Sequence, residues 1–368
     1  MTHKERVLAT LRGEWLDKPC YTAWGPAHSR EEPNAKDLAE ALIGFQKVHD
    51  FDFIKHNPSG MYFTEAFGQV ISPVTDMNFQ AWMGVEKFVV NDPHQWAQLT
   101  PKKILGNSLA REVEVVARIN DYFQGDVPVI ATVFSPFIWM GEMTGGFFRE
   151  EQIVDHFRYS EKYAKIGLEV VEETNARLME AFVDAGAAGF FYAVQNCMAE
   201  KMGREMFEEY EKKPSVRLLN RVKDKTYFNM CHMCNGRKEY ADWFLDYPVD
   251  AFNWSDTHRL TQRSMKEMRE VTDKVLVGGI DHNCEGQDYR AAGFCKDDFS
   301  GTDREETKKL IRRRVDTAIE EAGNKLIIAG GCGFNFNAHH RFGVWHEVME
   351  EVAQERAASG KAKEEREV

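Results

Sequence analysis

The sequence predicts a single (β/α)8 barrel, the α/β fold in which eight parallel strands alternate with helices around one core. Three observations support this fold: a length of 368 residues, eight short apolar runs, and a helical pattern after most of them. Such nearly continuous apolar runs are typical of parallel strands buried on both faces. The runs cover residues 20–24, 51–56, 127–134, 188–194, 226–232, 251–255, 275–280 and 325–331. A doubly wound sheet is the competing fold, but no glycine-rich phosphate-binding turn follows the first run.

The segments between these runs carry apolar residues at helical spacing. Residues 35–48 place Leu38, Leu42 and Phe45 on one face of a helix. A longer amphipathic pattern covers residues 151–183, and further helices are predicted at residues 206–222, 239–245, 261–271 and 303–322. Thr302 is followed three positions later by Glu305, which predicts a capping box at the start of the last helix.

One interval between strands is much longer than the others. The second and third runs are separated by about seventy residues, and a stretch of that length needs structure of its own. We therefore predict an insertion at residues 57–126 that covers the barrel mouth as a lid. The barrel as a whole is predicted to span residues 1–355, and the charged residues 356–368 are predicted to form a disordered tail.

Composition excludes several classes of partner. The net charge is −12, from 47 basic and 59 acidic side chains, which disfavours nucleic acid and anionic membrane surfaces. No run approaches the roughly 18 apolar residues of a membrane helix, and no signal peptide opens the chain, so a cytoplasmic location is expected. Seven irregularly spaced cysteines in such a chain favour metal binding or catalysis over a disulfide framework.

The most specific chemical signal is a set of three possible metal ligands. His232 and Cys234 lie at the end of the fifth run, and Cys332 follows the eighth. An imidazole and two thiols suit zinc, and three protein ligands leave a fourth position open, as in catalytic zinc sites. Residues two apart on a strand point the same way, and side chains of the fifth and eighth strands can meet over a narrow barrel. Alternatively, His232 is a hydrogen-bonded core histidine and Cys332 a small buried residue. Cys231 is expected to point away from the site.

Substrate contacts are expected near the C-terminal ends of the strands, because these ends line the active site of a barrel. For each candidate the alternative is packing in the core or a loop. The candidates are Trp24, His56, Phe134, Gln195, Asp256, Asp281, His282 and His339, with Glu65 in the insertion.

The sequence also resembles the uroporphyrinogen decarboxylase superfamily, and within it the corrinoid-dependent methyltransferases. The resemblance extends over about residues 3–353, and its landmarks are residues 4–8, 51–59, 128–137, 184–190, 232–234, 278–281 and 331–333. Two features depart from the decarboxylases. Arg30 is the only base near the first strand, where those enzymes carry an arginine-rich motif, and Cys332 replaces a glycine-flanked histidine.

This resemblance implies a zinc-dependent methyltransferase in which His232, Cys234 and Cys332 are the metal ligands and the catalytic residues. The methyl group would pass between a corrinoid and a small substrate, either a thiol acceptor or a methyl donor such as an aromatic methyl ether. The sequence has no Asp-x-His-x-x-Gly segment of the usual corrinoid-domain type, so the corrinoid is expected on a partner protein. Relatives in this branch are monomers or homodimers.

Two alternatives to methyl transfer remain open at this point. One is a decarboxylase-like enzyme of the same superfamily that acts on a tetrapyrrole or another carboxylate. The other is a non-catalytic protein that binds a corrinoid or a tetrapyrrole.

Overall fold

The computed structural model describes residues 1–25, 34–58, 60–71, 84–145, 151–195, 197–234, 238–258, 262–281, 304–334 and 341–367. Its strands are β1 (Cys20–Tyr21), β2 (Ile54–Lys55), β3 (Val70–Ile71), β4 (Val85–Lys87), β5 (Val129–Phe134), β6 (Gly189–Gln195), β7 (Met230–Cys234), β8 (Ala251–Asn253), β9 (Val275–Ile280) and β10 (Leu326–Gly330). Each of the eight predicted runs overlaps one of these strands.

The eight strands form one parallel sheet in the order β1-β10-β9-β8-β7-β6-β5-β2. Hydrogen bonds connect the segments at its two edges: the Asp52 amide donates to the Tyr21 carbonyl over 3.1 Å. The Thr22 hydroxyl donates to the Phe53 carbonyl over 2.9 Å. The edges of the curled sheet therefore meet, which confirms the predicted (β/α)8 barrel.

Helices surround this sheet. They are α1 (His3–Arg12), α2 (Ala35–His49), α3 (Tyr62–Glu65), α4 (Ser108–Phe123), α5 (Pro136–Gly145), α6 (Glu151–Tyr159), α7 (Glu161–Asp184), α8 (Cys197–Met206), α9 (Lys213–Val222), α10 (Lys238–Ala241), α11 (Met265–Arg269), α12 (Arg304–Ala322) and α13 (Phe342–Glu367). Among the described residues, no helix is both long and apolar enough to cross a membrane.

One predicted helix is divided in the structure, and the predicted start of another lies outside the described residues. The long helix predicted at residues 151–183 is two helices, because Ser160 leaves the helical conformation (φ −143°, ψ 37°) and α7 begins after it. Thr302, the predicted capping residue of α12, lies outside the described residues.

The predicted insertion contains both an excursion and a helix of the barrel. Its first part holds α3 and an antiparallel hairpin of β3 and β4. Its last part, α4, packs against α2 and β5, where the helix between the second and third strands of a barrel belongs. The role of the excursion as a lid stays a prediction. At the other end of the chain, α13 continues to Glu367, so the backbone of the predicted tail is helical up to that residue.

Two apolar cores lie on the two faces of the sheet. The inner core fills the barrel, and the outer core lies between the strands and the helices. Neighbouring residues of one strand belong to different cores: Phe191 to the inner core, and Phe190 and Tyr192 to the outer core. Cys231 lies fully buried in the outer core, which confirms that it points away from His232.

A buried carboxyl group lies in the outer core behind this sheet. Glu211 belongs to a π-helix, Phe207–Lys212, and accepts hydrogen bonds from the hydroxyls of Ser135 (2.7 Å), Ser215 (3.1 Å) and Tyr247 (3.4 Å). Burial raises the pKa of Glu211 to about 7, against the opposing effect of these hydrogen bonds.

Glu211 is expected to make the protein less stable as the pH rises through about 7. Its ordinary pKa is 4.5, so the stabilisation from the neutral form is complete below that value and is lost above the folded-state pKa of about 7. Glu211→Gln stays neutral at every pH. Its free energy of unfolding, relative to that of the parent, should therefore rise by about 2–3 kcal/mol between about pH 5 and pH 8.5. Urea unfolding at both pH values measures the gain, with the more exposed Glu209→Gln as the matched control. The same stability difference between Glu211→Gln and the parent at both pH values would contradict the raised pKa.

Candidate metal centre

The structure brings His232, Cys234 and Cys332 together at the C-terminal end of the barrel. One ligand atom from each lies within 4.8 Å of the other two. The Cys332 Sγ atom is 3.7 Å from the His232 Nε2 atom, although 100 residues separate them in sequence. His232 is buried, and both cysteines are partly exposed. The cluster thus has a dry inner side and an accessible outer side.

These residues fit a zinc ion. Zinc bound tetrahedrally at about 2.3 Å from sulfur and about 2.0–2.1 Å from nitrogen keeps neighbouring ligand atoms roughly 3.5–3.8 Å apart. The 3.7 Å between Cys332 Sγ and His232 Nε2 already matches that spacing. Two thiols and one imidazole are also soft and borderline ligands, which suit zinc, whereas calcium and magnesium prefer oxygen ligands.

Asn253 fixes the histidine for metal binding. Its Nδ2 group donates to the Val277 carbonyl (2.9 Å) and to the Gly330 carbonyl (3.0 Å), so its Oδ1 atom must face His232. The His232 Nδ1–H group donates to that Oδ1 atom over 2.6 Å. The proton therefore resides on Nδ1, and the lone pair of Nε2 points toward the two thiols. This pattern is typical of a metal-binding histidine.

Cys332 reaches the cluster because the chain before it passes very close to β8. A Cβ atom built on Gly331 would lie 2.4 Å from Ser255 Cα, a distance that real side chains do not adopt. On the other side, the Phe334 amide donates to the Trp24 carbonyl over 2.8 Å. The loop that carries Cys332 is therefore held between the segments that follow β8 and β1.

Gly331→Ala is expected to displace this loop and weaken metal binding. The added methyl group overlaps backbone that cannot rotate away, so we expect a stability loss of about 1–3 kcal/mol. Zinc affinity should fall together with stability, and competition with a chromophoric chelator measures it. Gly44→Ala in α2 is the control, since its Cβ would meet nothing within 4 Å. Wild-type zinc affinity in Gly331→Ala would show that the close approach does not position Cys332.

Aromatic side chains form the floor beneath the cluster. The Phe191 ring stacks on the His232 imidazole, with ring centres 4.6 Å apart and an angle of 28° between the planes. Trp24 is buried in the inner core, and its ring meets Phe191 edge-on at 5.5 Å. Phe191 therefore packs against both Trp24 and His232, and contact of Trp24 with substrate stays a prediction.

A lysine lies on the same aromatic floor. The Lys55 Nζ atom is 4.7 Å from the centre of the Phe191 ring and donates to Asn57 Oδ1 over 2.9 Å. Asn57 in turn donates from Nδ2 to the Gly25 carbonyl over 2.9 Å. Burial lowers the pKa of Lys55 to about 8, and the nearby Cys332 opposes this effect.

Two candidate substrate contacts, His56 and Glu65, pair with other side chains in the structure, and their contact with substrate stays a prediction. His56 is the outward neighbour of Lys55, and its Nε2 atom is 2.9 Å from Glu112 of α4, with both side chains buried. Glu65 pairs with Arg111 at 3.4 Å, and Arg111 also pairs with Glu112. These residues form a network of hydrogen bonds and ion pairs between β2 and the insertion. The alternation of β2 directs Lys55, and not His56, into the barrel.

The remaining candidates are near strand ends. Phe134 packs between the two cores, with its ring 5.2 Å from that of Phe63. Asp256 Oδ1 accepts from the Gly279 amide over 2.9 Å, and Asp281 is 3.6 Å from His258, all in buried surroundings. Substrate contact by Phe134, Asp256 and Asp281 stays a prediction.

Three further candidates have side chains that the structure does not describe. Gln195 pairs with Cys234 in the register of β6 and β7, so its backbone adjoins the cluster. His282 and His339 lie outside the described residues.

Asn253 and Lys55 were not predicted from the sequence. Both are polar residues at the ends of strands buried on both faces. A buried polar group is costly unless it has a partner or a role, so this contrast is the signal that could have identified them.

Comparisons with known proteins agree with the fold. The family model described as Uroporphyrinogen decarboxylase (URO-D) matches residues 33–284, more than half of the chain. A methyltransferase from Methanosarcina mazei is similar in structure, with a TM-score of 0.69 and 16% identity over 95% of this chain and 99% of that chain. A B12-independent methionine synthase from Shewanella sp. W3-18-1 has a TM-score of 0.53 and 14% identity, over 93% and 97% of the two chains. None of the curated proteins matches by sequence.

Proposed function

Because the chain belongs to the uroporphyrinogen decarboxylase (URO-D) family, we propose that it is a zinc-dependent methyltransferase acting between a corrinoid on a partner protein and a small substrate. The observation that carries this proposal is the convergence of His232, Cys234 and Cys332, with the histidine tautomer fixed by Asn253. The similar structure from Methanosarcina mazei is itself described as a methyltransferase.

The residues of the cluster would prepare a sulfur or another heteroatom for methyl transfer. A zinc ion held by the three ligands supplies a Lewis acid that lowers the pKa of a substrate thiol, or polarises the heteroatom of a methyl donor. Asn253 keeps His232 in the tautomer that this requires. Phe191 and Trp24 exclude water from the inner side of the site, which strengthens electrostatic interactions there. The partly exposed cysteines face the end at which a partner protein would dock.

Metal analysis and a methylcobalamin demethylation assay test this proposal. We expect one zinc ion per chain, and demethylation with at least one member of a panel of small thiols and methyl ethers. Removal of zinc by a chelator should abolish the reaction, and addition of zinc should restore it. Because the similar methionine synthase is B12-independent, a parallel assay should use a methyl donor without a corrinoid.

Two outcomes would contradict the proposal. A zinc-free protein with full activity would favour a metal-independent enzyme of the decarboxylase type. A corrinoid-dependent absorbance change with no methyl turnover would favour a binding protein.

A further inference from the structure

The side chain of Lys55 carries a buried charge without a counter-ion among the described residues. Lys55 is 9% exposed, and its contacts are one neutral oxygen, on Asn57, and the face of Phe191. Among the described residues, the Cys332 thiol lies close enough to oppose the effect of burial on the Lys55 pKa. An ammonium group has three N–H donors and is rarely buried without an anion. The fold therefore keeps a positive charge inside the barrel at a cost to stability.

This charge lies near the metal cluster. Both Lys55 Nζ and the His232 ring centre lie within 5 Å of the centre of the Phe191 ring, at 4.7 Å and 4.6 Å. Their separation is at most the sum of these two distances. A Zn–S bond of about 2.3 Å, a short carbon chain and an ammonium–carboxylate hydrogen bond of about 2.8 Å together cover such a span.

We propose that Lys55 is a specificity-determining residue that binds an anionic group, such as a carboxylate, on the small substrate of this site. The inference rests on the proposed function and goes further, because it assigns the charge of the substrate. The substrate heteroatom lies at the cluster of His232, Cys234 and Cys332, and its anionic end accepts hydrogen bonds from Lys55. An anion bound there supplies the counter-charge that the described residues lack.

Two thiols of similar length test this assignment. Isothermal titration calorimetry at pH 7 would compare 3-mercaptopropionate with neutral 2-mercaptoethanol on the purified protein. We expect the dissociation constant of 3-mercaptopropionate to be lower than that of 2-mercaptoethanol by roughly tenfold or more, as for a hydrogen bond to a charged group. Lys55→Met should reduce the ratio of the two dissociation constants to near one. In the demethylation assay, the same variant should also reduce the ratio of kcat/KM for 3-mercaptopropionate to kcat/KM for 2-mercaptoethanol.

The matched control is Lys274→Met. Lys274 also lies over an aromatic ring, 5.1 Å from the centre of Phe252, but just before β9, at the opposite end of the barrel. It should keep the preference for the carboxylate. Lys55→Glu is the second variant, and it should favour the cationic thiol cysteamine over 3-mercaptopropionate.

The possible results separate this inference from the proposed function. Equal binding of the two thiols by the wild-type protein, or an unchanged preference in Lys55→Met, would overturn the role of Lys55 whether or not methyl transfer occurs. If Lys55→Met does not fold, the wild-type comparison alone decides. Absence of zinc, or of methyl transfer with every substrate, would overturn the proposed function, and the calorimetric ratio would still decide the charge of the ligand.

Discussion

Cys332→Ser is expected to lose zinc and to reduce methyl transfer by at least roughly a thousandfold. The substitution removes one of three protein ligands, and a metal ion acting as a Lewis acid contributes several kcal/mol to catalysis. The fold should survive, because Cys332 is partly exposed and lies in a loop beyond β10, so we expect a stability change below about 1 kcal/mol. Zinc content, circular dichroism and the demethylation rate measure the three effects separately.

Cys231→Ala is the matched control for this experiment. It removes a thiol next to His232 in sequence, but this thiol lies in the outer core. It should lower stability through the lost packing and still bind one zinc ion per chain. Cys332→Ser with wild-type zinc content and rate would refute the metal centre.

Asn253→Ala is expected to lower zinc affinity by about 10–100-fold, the usual cost of removing the partner of a metal-binding histidine. Without Asn253 Oδ1, the His232 proton is no longer held on Nδ1, and the imidazole can present the wrong nitrogen to the metal. The carbonyls of Val277 and Gly330 also lose a buried donor, at a cost of about 1–3 kcal/mol. Chelator competition measures the affinity, and urea unfolding measures the stability.

Asn253→Asp separates these two effects. The aspartate can still accept from His232 Nδ1–H, but it cannot donate to the two carbonyls. It should therefore bind zinc more tightly than Asn253→Ala while losing at least as much stability. If both variants bind zinc as the wild type does, the orientation of His232 does not depend on Asn253.

The strands were the most predictable part of this protein. Each of the eight apolar runs overlaps a strand of the sheet, because burial on both faces of a parallel sheet requires nearly continuous apolar sequence. The two-residue spacing of His232 and Cys234 also predicted their common direction, since alternation is local to a strand.

The direction of side chains on a short strand was less predictable. β2 has two residues, Ile54 and Lys55, and the sequence around it does not show a clear alternation. His56, a predicted substrate contact, pairs with Glu112 of α4 in the structure. An apolar run buried on both sides indicates a strand but not which of its faces is the inner one.

The sequence by itself determined the barrel, the order of its strands along the chain, and the identity of three metal-ligand candidates. These follow from hydrophobic periodicity and from ligand chemistry, which are properties of residue types and short spacings. Only the tertiary structure decided that Asn253 orients His232, that Gly331 admits Cys332 to the cluster, and that Lys55 brings its charge to the same site. These contacts join strands and loops far apart in the chain, and their geometry depends on sheet register and close backbone approach, which no local pattern specifies.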